Sequence, residues 1–100
     1  MHLLNYTHPV SAVELTQMRR HHEIVLARSP AELASLTQRR DETARAIDAA
    51  KEPLDVQGLR RTLARIDDEL ADARKRQSEH KETIEEIDRR LAAMAPPPAA

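Results

Sequence analysis

The side chains able to do chemistry in this sequence fall into three groups: five histidines, four basic clusters, and an acidic run at Glu82, Glu85, Glu86 and Asp88. A helical metal site needs ligands at i and i+3 or i+4, the offsets that share a helix face. At those offsets His21 meets Ile24 and Val25, and His22 meets Val25 and Leu26, so neither has a second ligand on its own helix. His80 stands apart from the others, and His2 and His8 lie near the start of the chain. No metal and no cofactor are therefore expected. With no cysteine there is no thiolate nucleophile, and neither a glycine-rich phosphate loop nor a G-x-S-x-G turn occurs. The carboxylates have no recognisable pocket to perturb them, so neither an enzyme nor a small-molecule substrate is expected.

The basic clusters are Arg19-Arg20, Arg39-Arg40, Arg60-Arg61 and Arg74-Lys75-Arg76. Arg39, Arg60 and Arg61, with Arg45 and Arg65, lie on either side of Pro53 and could form a phosphate-facing patch. Against that reading, acids interleave them, and Asp41/Arg45, Arg65/Glu69 and Asp72/Arg76 have the i,i+4 spacing of pairs on a solvated helix face. The net charge is -1 with a pI near 6.5, so no overall positive field draws the chain to nucleic acid. Tyr6 is the only aromatic residue, which leaves little for base stacking. Nucleic-acid binding is thus the second reading.

These groups must be carried by helices. The chain has one Gly and no Phe or Trp, and 33% of it is charged, so Leu, Ile, Val, Met and Ala have to make every apolar contact. Rich in Ala, Leu, Glu and Arg, it has the composition of a coiled coil or helix bundle. Arginine outnumbers lysine 13 to 3, a bias that fits a GC-rich bacterial, phage or plasmid gene.

Three helix starts are predicted. Ser11-Ala12-Val13-Glu14 reads as a capping box, with Val10 and Leu15 placed to form a hydrophobic staple. Ser29-Pro30-Ala31-Glu32 reads as a second box with proline at the first helical position. Asp55 can cap a third helix, with Leu54 and Leu59 as its staple and Pro53 ending the helix before it. The expected helices are 11–28, 30–52 and 55–94, with a tight turn at 52–55.

In the third, Val56, Leu59, Leu63, Ile66, Leu70, Ala73, Gln77, His80, Ile84, Ile87, Leu91 and Met94 recur in steps of three and four. That rhythm is a coiled-coil seam. Leu33, Leu36, Arg40, Thr43, Ile47 and Ala50 continue it upstream, as do Leu15, Met18, His22 and Val25, joined through Ser29 by a stutter. The predicted fold is all-α: a long antiparallel coiled-coil hairpin whose N-terminal arm is broken at Ser29-Pro30. A three-helix bundle reversing at Ser29 is the rival. In the hairpin Leu36 lies beside Ala73, Val25 beside Ile84 and Met18 beside Leu91. Gln77 and His80 then face Leu33 and Ser29, either as a register-fixing polar layer or as a loosened, hydrated stretch. Arg40 reaches across to Asp67 or Glu69.

One seam buries little apolar area, so a homodimer in a helical bundle is expected. Leu15, Met18, Ile24, Val25 and Leu26 are the candidate dimer or partner contacts, because Ile24 to Ala27 run apolar beyond what one seam needs. Residues 1–10 read as a flexible arm in which Leu3, Leu4 and Tyr6 could dock on a partner, and 95–100 as a disordered Pro/Ala tail. Neither a signal peptide nor a membrane span is legible, so a cytoplasmic location is expected. The whole implies a non-enzymatic protein-interaction module, an adaptor, inhibitor or regulator of a larger complex.

Overall fold

A computed structural model describes residues 10–94, and they form two helices, α1 (Ala12–Ala49) and α2 (Pro53–Met94), joined by residues 50–52. No strand occurs among the described residues. The expected arm and tail lie outside them, apart from Val10.

The first cap forms as its residues require. The Glu14 N–H donates to Ser11 Oγ at 3.1 Å, and Val10 and Leu15 are buried in one cluster, closing the staple. The second expected start does not exist. α1 runs unbroken through Ser29 and Pro30, although an interior proline lacks the N–H for the carbonyl one turn back and costs about 3 kcal/mol. Residues of good helix propensity flank Pro30, and Ser29, Leu33 and Leu36 all turn toward the seam, so continuing the helix keeps that burial. The third start also differs. Pro53 itself opens α2, the Val56 N–H donates to the Glu52 carbonyl at 3.1 Å, and Asp55 lies inside the first turn rather than capping it. Leu54 is 80% exposed, so it forms no staple with Leu59.

The chain divides into two compact units. One comprises Arg28–Gln77, and the other comprises residues up to Ala27 together with those from Ser78 onward. The Arg28–Gln77 unit is a helical hairpin whose core is Leu36, Ile66, Leu70 and Ala73, with Leu33 packed against it. Its helices are antiparallel, since Arg40 meets Asp67 while Glu32, earlier on α1, meets Arg76, later on α2. The other unit pairs the start of α1 with the end of α2, also antiparallel, around Val10, Leu15 and Ile87, with Met18 and Leu91 alongside. Thr43 can occupy a seam position because its hydroxyl donates to the Arg39 carbonyl at 2.8 Å and so needs no partner from the opposite helix.

Candidate functional site

In the Arg28–Gln77 unit, charge is organised differently along the hairpin. Away from the turn, three ion pairs bridge the helices: Arg40–Asp67 at 2.5 Å, Glu32–Arg76 at 2.8 Å and Arg39–Glu69 at 3.7 Å. Arg40 takes Asp67, one of its two expected acids. The hydrogen bond to Asp67 raises the Arg40 guanidinium above its ordinary pKa. Arg39, counted among the phosphate-binding candidates, is engaged with Glu69. None of the three expected i,i+4 pairs forms among the described residues: Glu69 and Arg76 are taken by α1, and Asp41 and Arg45 make no ion pair.

From Arg45 to Arg65 the pattern reverses. Arg45, Lys51, Arg60, Arg61 and Arg65 face only three acids, Asp48, Glu52 and Asp55, and none of these eight makes an ion pair among the described residues. Four of the five nucleic-acid candidates, Arg45, Arg60, Arg61 and Arg65, therefore lie in this stretch without an ion pair. Beside the turn lies an open groove of about 550 Å³ with Pro53, Val56 and Ala64 as its apolar surface and Lys51, Arg60 and Arg61 around it. A clue was present in the sequence: an apolar Pro53/Val56 stretch followed by Arg60 and Arg61, whose i±4 neighbours Val56, Ala64, Gln57 and Arg65 are not acids.

In the other unit the side chains brought together are His22 and His80, Nδ1 to Nδ1 at 2.6 Å with ring centroids 4.9 Å apart. His21 stands edge-on to His22 at 5.4 Å. His80 was expected opposite Ser29. His22, two turns before Ser29 on α1, is the residue it meets. The contact needs one Nδ1 to donate and the other to accept, so it requires at least one neutral ring. Burial, then the neighbouring His80 and His21, hold His22 below its ordinary pKa of 6.5, favouring the neutral ring. Among the described residues no three ligating side chains converge on a cation position. Nearby, Arg19 donates to Asp88 at 2.7 Å and also pairs with Glu23. Its hydrogen bond holds the Asp88 carboxyl below the usual carboxylate range.

The five candidate interface residues separate. Leu15 is fully buried against Ile87, and Met18 packs on the same cluster, so both serve the intrachain core. Val25 and Leu26 are half-buried. Ile24 is 47% exposed, and Val13, not among the candidates, is 67% exposed. Val13 and Ile24 are eleven positions apart, about three turns, and so share a helix face that the cluster does not use. No described helix is long and apolar enough to cross a membrane. No family model, curated protein or solved structure matches the chain.

Proposed function

We propose that this chain is a non-enzymatic protein-interaction module: an antiparallel coiled-coil hairpin that self-associates through α1 and holds a protein partner as a cytoplasmic adaptor, inhibitor or regulator. One observation carries the reading. Among the described residues only seven apolar side chains are buried, while Val13 and Ile24 leave apolar surface on one face of α1 in solvent. Two helices with so small a core gain from covering that surface, and a second α1 offers the same self-complementary surface. The specific contacts are Ile24 and Val13, with Val25 and Leu26 at their edge. Leu15 and Met18 support them from inside.

Sedimentation equilibrium tests the self-association. The expected result is a mass that rises with concentration to the dimer and returns to the monomer in Ile24→Glu; a monomer mass at every concentration overturns it. Affinity capture from native lysate, with and without nuclease, tests the class of partner. Stoichiometric protein that survives nuclease supports the module. Loss of every partner together with co-purifying RNA or DNA replaces it with the second reading, in which the unengaged Arg45, Arg60, Arg61 and Arg65 bind phosphates.

A further inference from the structure

The geometry points to the groove beside the hairpin turn as a docking site for a short acidic peptide segment, one in which an apolar side chain is flanked by carboxylates. The inference rests on the protein-binding reading for its class of partner and is independent of self-association.

Three observations fix the occupant's chemistry. The groove has an apolar surface of Pro53, Val56 and Ala64, which gains from covering by an apolar side chain and gains nothing from a bare phosphate. Around that surface stand Lys51, Arg60 and Arg61, none of them paired with an acid. Within the same unit Arg39, Arg40 and Arg76 each have an acid from the opposite helix, whereas Arg60 and Arg61 at the groove have none. A carboxylate from another molecule supplies one, and an arginine fork receives a carboxylate with two parallel N–H donors. Next to the groove, Leu54 is 80% exposed and adds an apolar shoulder for a second anchor.

Nucleic acid fits the same place less well. Asp48, Glu52 and Asp55 alternate in sequence with the cations and weaken their field for a long run of phosphates more than for a few carboxylates. A peptide can align its two or three carboxylates with the arginines and leave those acids in water. No aromatic ring lies at the turn to stack a base.

The test uses the full chain and a fluorescently labelled peptide of alternating leucine and glutamate, read by polarisation. Saturable binding is expected. It should weaken about tenfold or more in Arg60→Glu/Arg61→Glu, a loss of about 1.4 kcal/mol or more, and to a similar degree in Val56→Asp. Replacing glutamate by glutamine in the peptide, or leucine by serine, should each abolish binding, because both halves of the groove are used. Arg60 and Arg61 are exposed, so helicity and thermal unfolding of the double variant report that it is folded. Wild type and a folded double variant binding the peptide equally would overturn the proposal. It also fails if a single-stranded oligonucleotide or inorganic phosphate displaces the peptide below the concentration at which the peptide itself saturates. The same holds if the peptide does not bind and Arg60→Glu/Arg61→Glu abolishes a concentration-dependent mass, for then a second copy of this chain fills the groove.

Discussion

The two units are built from the same parts, two antiparallel helix segments around a handful of apolar residues, yet they join those segments with different chemistry. The Arg28–Gln77 unit uses three ion pairs of opposite charge. The other unit uses one such pair, Arg19–Asp88, and a contact between two histidines. Equal architecture therefore does not mean equal response to conditions: the first is sensitive to salt, the second to protons as well.

The largest expected effect tests whether the units are separately stabilised. Leu15→Ala and Ile66→Ala each remove a fully buried side chain and should cost about 2–5 kcal/mol. Hydrogen exchange would resolve the location: Leu15→Ala should lower protection first around Val10, Met18 and Ile87, and Ile66→Ala around Leu36 and Leu70. Identical protection losses from both substitutions would erase the distinction between the units.

Next is Pro30→Ala. Restoring an interior N–H and removing the ring should stabilise by up to about 3 kcal/mol, read as a higher midpoint in urea. A loss of stability instead would mean that the proline shapes α1 in a way the fold needs. Gly58→Ala should raise stability by about 1 kcal/mol, since nothing lies within 4 Å of an added Cβ and the position is helical. That gain should appear in the Arg28–Gln77 unit alone.

The smallest effect sharpens the comparison most. His22 is held below 6.5 in the folded protein, so the unfolded chain takes up a proton first as pH falls. The stability attributable to the neutral ring is complete above 6.5 and declines as pH drops below it. His22→Leu should flatten that slope in thermal unfolding. Asp88 acts in a separate window: its carboxyl is depressed by Arg19, so its contribution persists near neutrality and is lost only as pH falls through the acid range. An unchanged slope in His22→Leu would remove the histidine contact from the account.

Much of this was legible in the residues. The three-four rhythm placed Leu36, Ile66, Leu70, Ala73 and Ile87 inside, and all five are buried. Ser11 and Glu14 marked the first cap because that signal is local, a hydroxyl three residues from an N–H. Ser29-Pro30 carried the same local signal and was misleading. A proline at the first position of a helix and one in its interior have the same neighbours in sequence, and only the seam on both sides favours continuing. The turn was misplaced for a related reason: Pro53 can end one helix or begin the next, and it begins α2. The His22–His80 contact was not legible, because the seam pattern gives facing positions and not which long side chains reach along the helix to meet. The groove was hidden for another reason. Periodicity identifies which residues are apolar or charged, and says nothing about which cations find an acid across the hairpin.

The three-residue connection at 50–52 also sets an order of events in time. The Arg40–Asp67 contact closes a chain separation of 27 residues and Arg19–Asp88 one of 69, so the loop-closure entropy is lower near the turn. The shorter closure costs less entropy, so pairing is expected to start beside residues 50–52, in the Arg28–Gln77 unit. Ile66 then contributes to the folding rate, with a φ-value well above that of Leu15, whose loss speeds unfolding instead. The unit that carries the histidines is joined over the longer chain separation, 69 residues at Arg19–Asp88, and so at the greater entropic cost.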